Sequence, residues 1–334
     1  MSQQSVSVAL CTYNGAAFVL EQLESIAAQT RSVDEVVVCD DGSTDATLEI
    51  IQRFADSRDC PFGARVFRNQ PQRGVTLNFA RAIGECRGAF IFLADQDDVW
   101  CSTKVEKLCA LMEANASCAL AFCDADICDA ALKPSGDGLF DAVWFTPDEQ
   151  DKVRQGREID VFARHAIAAG TTLAFRASFR DLILPIPNLR TAHDIWTSTL
   201  IACVAPIAFT TERLVKYRVH GQNQVGMRRW NLLEQISKAR EQLHLGAFAH
   251  AVDLYGEMAQ RLREVQIVAR FAPRPGALRL LDEKVAHCRL RNDMPPGLLS
   301  LPRRLPGVVR ESVRGNYTRY SYGVKSVLQH LFLR

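Results

Sequence analysis

A chain of 334 residues is long enough for one large α/β domain or two ordinary ones, and a core of that size needs neither disulfides nor a structural metal. With 48% hydrophobic and 23% charged residues, 19 Gly and 13 Pro, the composition excludes collagen-like, disordered and coiled-coil chains. Against 38 acidic side chains stand 40 basic ones, and a net charge of +2 is too balanced for a surface that holds nucleic acid throughout, so any electrostatic function is local.

In the first half, short β-branched runs alternate with amphipathic stretches, the pattern of β-α-β units around a mostly parallel sheet. Strands are predicted at Val6 to Leu10, Glu35 to Cys39, Arg65 to Phe67, Ala89 to Leu93 and Ala119 to Cys123, with helices at Ala16 to Ala28, Thr44 to Ala55, Val75 to Glu85 and Ser102 to Asn115. Beyond Asp126 the pattern loosens through the polar segments KPSGDG and TPDEQDKVRQGRE, and Gly170 to Phe175 reads as a further strand. A helix over Ile195 to Ala205 and a strand pair around Ile207 to Phe209 and Arg213 to Tyr217 follow, then a glycine-bearing loop, HGQNQVGMRRW, and from Trp230 onward the chain reads as helical. The implied division is 1–128, 129–228 and a helical extension over 229–334.

The 11 cysteines contain no CxxC pair and fall mostly in apolar runs, as reduced core thiols do. The start, MSQQSVSVAL, lacks a cationic segment ahead of a long apolar stretch, and no run approaches the roughly eighteen apolar residues that span a bilayer. A cytoplasmic location is the expectation. From Arg270 to Arg334 there are 13 Lys or Arg and four Asp or Glu. That surplus suits either a solvated helical face or an anionic membrane surface, such as the cytoplasmic face of an inner membrane.

Two acidic clusters carry the chemistry. Asp40 and Asp41 directly follow the apolar run VVVC, at the carboxyl end of a strand, where open α/β sheets bind ligands. Turn and helix-cap roles account well for Asp45 but poorly for two adjacent carboxylates. The second cluster places Asp95, Asp97 and Asp98 within four positions after another buried strand. Like charges so close raise one another's pKa unless a cation or a basic group sits with them. With neither Cys nor His beside them, these hard oxygen donors favour Mg2+ or Mn2+ over zinc, a substrate phosphate completing the shell, while helix capping by Asp98 is the structural alternative. Tyr13 and Asn14 end the first strand: Tyr13 can stack on a nucleobase and Asn14 can serve as an N-cap.

The runs VALCTYNG, EVVVCDDGSTD and FLADQDDVW with KVEKL after it, then HDIW and YRVHGQN, resemble the inverting nucleotide-sugar glycosyltransferases of family 2, in a rhamnosyltransferase-like branch, over residues 5 to 228. The resemblance implies a GT-A type α/β fold, a mostly parallel Rossmann-like sheet flanked by helices with a helical C-terminal extension. It makes 1–128 the nucleotide-binding half and 129–228 the acceptor-binding half. Thr12, Tyr13, Asn14, Asp40 and Asp41 would line the nucleotide pocket, Asp95 would touch the ribose, and Asp97, with Asp95 and His220, would hold Mg2+ or Mn2+. Asp194 would be the general base, although its place at a helix start equally suits an N-cap. His193 beside it would orient the acceptor or pack. Arg218, His220 and Asn223 would form a mobile loop over the diphosphate, with Arg218 its phosphate grip and Gly221 and Gly226 its hinges.

The implied reaction is transfer from a nucleoside-diphosphate sugar, dTDP-rhamnose or a UDP-hexose, to a saccharide, lipid-linked on this resemblance, in bacterial surface polysaccharide synthesis. Arg73, Asn78 and Arg81 are expected on a helix surface and Trp100 in the core. A catalytically silent sugar-nucleotide binder or scaffold is the alternative. A dehalogenase-type phosphatase fails on register, because its first aspartate would fall on Cys39. No GxGxxG or GxxxxGK[ST] is present.

Overall fold

The computed structural model describes residues 3–189, 193–221, 246–267, 270–295 and 297–332. The run VSVALCT forms β1 (Val6–Thr12), buried along its whole length. A strand covered on both faces needs continuous apolar character, not alternation. Next come α1 (Val19–Ala27), β2 (Glu35–Asp40), α2 (Thr47–Ala55), β3 (Gly63–Arg68), α3 (Val75–Glu85) and β4 (Phe90–Asp95). The short β5 (Val99–Trp100), α4 (Lys104–Ala114) and β6 (Leu120–Cys128) complete the first half. Helix α3 matches its predicted range. Helices α1 and α2 start three residues late, because the residues ahead of them hydrogen-bond across to each other: Ala16 N donates to Asp45 and Thr44 N to Asn14.

The segment expected to be loosely organised carries β7 (Pro134–Gly138), α5 (Leu139–Ala142), α6 (Pro147–Arg154) and α7 (Glu158–Phe162). The start of α6 was readable: Thr146 accepts from Glu149 N and a proline follows it, a cap and first-turn pair. A 3-10 turn at Gly170–Thr172 shortens the predicted strand to β8 (Leu173–Arg176), and α8 (Arg180–Ile183) and α9 (His193–Val204) follow. One strand, β9 (Ile207–Arg218), replaces the expected pair. Its register against β6 slips twice between Cys123 and Ala125, so the polar Thr211 and Glu212 sit in a bulge, not a turn. The C-terminal helices are α10 (Ala247–Ile267), α11 (Ala277–Asp293), α12 (Leu301–Val313), α13 (Asn316–Tyr320) and α14 (Val324–Phe332).

Among the described residues nine strands form one sheet in the order β3-β2-β1-β4-β8-β6-β9-β5, with β7 on β6. It is parallel from β3 through β4 and mixed beyond, because β8 runs antiparallel to both β4 and β6. Alternate strand residues enter two cores. Ala9, Val37 and Ile91 face α3 and α9, while Val8, Val36 and Phe92 face α1, α2 and α4. Leu254, Met258 and Leu262 of α10 belong to the first core, with Trp196 and Leu200 of α9. Of the cysteines only Cys60 and Cys101 escape full burial, and none is bridged.

Among α11 to α14 a polar network lies beside a small apolar cluster of Met294, Val308 and Tyr317. His287 Nδ1 lies 2.7 Å from Glu311 Oε2 and its Nε2 lies 3.0 Å from Ser321 Oγ, while Arg291 donates to Ser321 and to His330, which also meets Tyr317 OH. Burial pushes the His287 imidazole down to about 4, with Glu311 opposing and Arg291 adding to the shift. An unfolded histidine titrates near about 6.5, so below that pH the unfolded chain takes up a proton that the folded chain refuses. Thermal denaturation midpoints are therefore expected to fall as pH drops from about 6.5 towards about 4. A His287→Gln variant, lower in Tm throughout, will show a flatter profile in that window.

Candidate functional site

Register gathers the strand-end motifs. Thr12 pairs with Asp40 across β1 and β2, and Cys11 pairs with Asp95 across β1 and β4, so three polar strand ends reach one rim of the sheet. That is the carboxyl edge where parallel sheets bind ligands. β5 pairs antiparallel with β9, Val99 against Lys216, and this carries Arg218 and His220 onto Asp97.

The two loops after β1 and β2 are fastened to each other. Asn14, with φ of 47°, accepts from Thr44 N at 2.9 Å and donates its own N–H to Ser43 Oγ at 2.9 Å. Gly15 N donates to Thr47 Oγ1. Asp40 is fully buried: it accepts from Thr12 Oγ1, Gly42 N, Ser43 N and Ser43 Oγ. Four donors use up a carboxylate's acceptor positions, so Thr12 and Asp40 hold the turn beside the rim. Asn14 likewise caps the neighbouring loop. Tyr13 is different: its backbone is clamped by the Gln96 amide at 2.8 and 3.0 Å, and its side chain is 44% exposed. Gly15 permits this clamp, because a Cβ there would stand 2.1 Å from Gln96 Oε1.

Asp41 accepts from Asn69 Nδ2 at 2.9 Å, Arg73 N at 2.8 Å and Gly74 N at 2.9 Å. It organises the loop into α3 and keeps part of one oxygen's capacity. Asn78, expected on a surface, is buried, bridging Asn69 and the Cys39 carbonyl. Arg81 donates to Asn69 Oδ1 at 2.7 Å, and Arg73 contributes its backbone. Asn69, Asn78 and Gln96 were missed as site builders, because neutral amides carry no motif signal and their partners lie on other elements.

Around the second cluster the electrostatics are tight. Asp95 is pushed well above the usual carboxylate range, first by desolvation and then by the charges of Asp98, Asp97 and Asp194. Asp194, in the first turn of α9, thus acts on the acidic cluster that lies 96 to 99 residues upstream in sequence. Burial and the Asp97 charge push Asp98 up to about 7, against the Arg218 N–H that it accepts at 2.9 Å. A basic group does accompany the cluster: Lys104, fully buried, donates to Thr171 O at 2.6 Å and stands 3.2 Å from the centre of the core residue Trp100's ring. Burial pushes Lys104 down to about 7, with Asp98 and Asp95 among the groups that oppose it. Its place in KVEKL, at the mouth of the next helix, was the available signal.

Arg218 ends β9 and does not lie in the loop where it was expected. Only 3% of its side chain is exposed, and the guanidinium donates to Asp97 O at 2.7 Å, to Ala130 O at 2.6 Å and to Glu21. With all three nitrogens engaged and Phe18 beneath the guanidinium, it positions Asp97. His220 Nε2 lies 2.9 Å from Asp97 Oδ2, its ring resting on Phe18. Asn223 and Gly226 lie outside the described residues, as does the rest of that loop after Gly221. Helix α9 opens at His193, so Asp194 lies inside the helix and its Oδ1 accepts from Ile195 N at 2.8 Å. His193 stacks on Phe79 at 3.9 Å and 9°, and neither ring nitrogen has a partner among the described residues. Its burial lowers the imidazole's affinity for a proton.

Among the described residues no three His, Cys, Asp or Glu side chains stand as a ready metal cage. Asp97 and His220 nevertheless present an oxygen and a nitrogen side by side, and Asp95 is short of positive charge. Two or three protein ligands fit a divalent ion that takes its remaining oxygens from a diphosphate.

The family description "Glycosyl transferase family 2" matches residues 7–178. Over 108 residues the chain is 32% identical to the UDP-Glc:alpha-D-GlcNAc-diphosphoundecaprenol beta-1,3-glucosyltransferase WfaP of Escherichia coli, covering 32% of this chain and 41% of that one. Matched segments span 66%, 64% and 41% of three curated relatives' own lengths. By fold the chain is similar to S. aureus TarS 1–349 in complex with UDP-GlcNAc, with TM-score 0.54 and 16% identity over 98% of this chain and 81% of that one. It is also similar to the mannosyltransferase PcManGT from Pyrobaculum calidifontis in complex with GDP-Man and Mn2+, with TM-score 0.52 and 17% identity over 99% and 88%. Both place the fold in the GT-A type.

The buried guanidinium of Arg218 yields a direct test. Arg218→Lys should lower stability by about 1–3 kcal/mol, because a lysine in this buried position cannot make the three donations that join Asp97, Ala130 and Glu21. Chemical denaturation measures this. A diphosphate grip predicts unchanged stability and a raised donor KM alone.

Proposed function

The chain belongs to glycosyl transferase family 2, and on that premise we propose that it transfers a glycosyl unit from a nucleoside-diphosphate sugar to a saccharide hydroxyl with inversion, Asp194 serving as general base. The observation that supports this reading is the gathering of Asp40 and Asp95 at the carboxyl rim of the sheet, with Asp97 following Asp95 and paired to His220. A base for an acceptor hydroxyl has to face the anomeric carbon from the side opposite the leaving group; Asp194 would take that role, and its position in the first turn of α9 favours its negative charge. A single displacement needs no enzyme nucleophile.

The leaving nucleoside diphosphate gains negative charge as its bond to the sugar breaks. Asp97 and His220, with Asp95 beside them, would hold Mg2+ or Mn2+, and that ion, when bound, offsets the developing charge. Manganese in PcManGT supports this assignment. Tyr13, exposed at the end of β1, suits stacking on the base, and Asp41 keeps the loop beside it in place. His193, desolvated and held flat on Phe79, orients the first turn of α9. For the donor we retain dTDP-rhamnose or a UDP-hexose. WfaP's named substrates, UDP-Glc and a diphosphoundecaprenol-linked sugar, support a UDP-hexose and a lipid-linked saccharide acceptor in surface polysaccharide synthesis.

Incubating the protein with Mn2+, a donor panel and saccharide acceptors should release free nucleoside diphosphate with one donor. Asp194→Asn should reduce turnover by about 10²–10⁴-fold with little change in donor binding. Asp97→Ala should abolish the response to added metal. Donor binding without turnover under every acceptor would identify a silent sugar-nucleotide binder, and a retained anomeric configuration in the product, seen by NMR, would exclude direct displacement.

A further inference from the structure

The last two long helices are amphipathic the wrong way round for a water-soluble surface. On α12 the inward positions are Arg304, Val308 and Glu311, and on α14 they are Ser326 and His330. The outward stripes are apolar at helical spacing: Leu305, Val309 and Val313 on α12, and Val324, Leu328 and Phe332 on α14, all exposed, Val313 to 83%. A small apolar cluster of Met294, Val308 and Tyr317, with Val327 and Leu331 against it, is covered beside the polar network around His287, but six apolar side chains of the two helices are left facing out. Exposed apolar stripes of this kind mark a contact with another phase or molecule.

Charge identifies which. Arg303, Arg310, Arg314 and Lys325 are exposed between and beside the stripes, Arg319 pairs with Glu283, and Glu311, the one acidic residue from Leu299 to Arg334, is buried. A second copy of this face would meet four cations with four cations. A surface of anionic lipid headgroups over an apolar interior matches both features. A third feature agrees: Trp144, on a loop of the sheet domain, and Tyr322 are exposed and in edge contact at 6.4 Å, with Lys325 Nζ 4.5 Å over the Trp144 ring. Tryptophan and tyrosine of this kind sit at headgroup depth in membrane-associated proteins. No described helix is long and apolar enough to cross a membrane.

We propose that α12 and α14, with Trp144 and Tyr322 at their edge, form an interfacial docking face for an anionic lipid bilayer, inserting the two apolar stripes among the acyl chains while the arginines pair with headgroups. This inference is independent of the transferase reading, since it needs neither donor nor acceptor.

Co-sedimentation of the full chain with vesicles of phosphatidylcholine alone, or with 3:7 phosphatidylglycerol to phosphatidylcholine at roughly the anionic content of a bacterial membrane, tests it. Binding to the mixed vesicles only is expected, weakening as salt rises. Val309→Glu with Leu328→Glu should reduce that binding at least tenfold, and so should Arg310→Gln with Arg314→Gln, a change at exposed positions that leaves the stripes in place. Circular dichroism melts check that each pair remains folded, and nucleotide release with a soluble acceptor should be unchanged. Failure of the wild type to bind anionic vesicles, equal binding to neutral ones, or wild-type affinity in the folded variants would overturn the proposal. So would a dimer in light scattering that the glutamate pair dissociates, which would assign the face to a second copy.

Discussion

The site depends on the register of four parallel strands. Because β1 pairs with β2 and β4 on either side, and the apolar runs of all three stop within one rung of each other, the first polar residues after each run emerge together. Shifting one strand by a residue would turn its side chains to the opposite face and move Asp40 or Asp95 from the rim into a core. The hydrophobic pattern that fixes the sheet therefore also fixes where the carboxylates stand.

Within that frame, carboxylates take two kinds of work. Asp40 and Asp41 are largely satisfied by the chain itself, through backbone N–H groups, hydroxyls and the Asn69 amide, and they shape the loops. Asp95, Asp97 and Asp98 are crowded, and their protein partners do not cancel the crowding: Asp95 and Asp98 both shift upward, and Lys104 is itself burdened by burial. A carboxylate whose acceptors are filled builds; one left short of positive charge recruits. Arg218 belongs with the builders despite its charge, since it joins Asp97, Ala130 and Glu21 across three elements.

Much of this was legible in the amino-acid sequence, for a physical reason. Polar residues placed directly after VALC, VVVC and IFLA stand out because buried strands are otherwise unbroken, and α3 and the buried cysteines follow from local pattern alone. What was not legible depends on partners distant in the chain. Arg218 bonds to residues 88 to 197 positions away, and nothing near it in sequence announces that the guanidinium faces inward. The same holds for Asn78 and for Lys104, whose burial is decided by Thr171 and Trp100. The bulge in β9 read as a turn because polar residues in a strand and in a hairpin look alike until the neighbouring strand is known. The outward apolar stripes escaped notice because periodicity gives a helix two faces without saying which is covered.

The packing of α10 against α9 has a mechanical consequence. Leu254, Met258 and Leu262 cover Trp196 and Leu200 on the same helix whose opening turn bears Asp194. Removing the polypeptide from Ala247 onward would uncover that side of α9 and leave its aromatic flank wet. The tail is thus a splint: any load applied to it is felt, through shared side chains, at the carboxylate on which chemistry at the rim would turn.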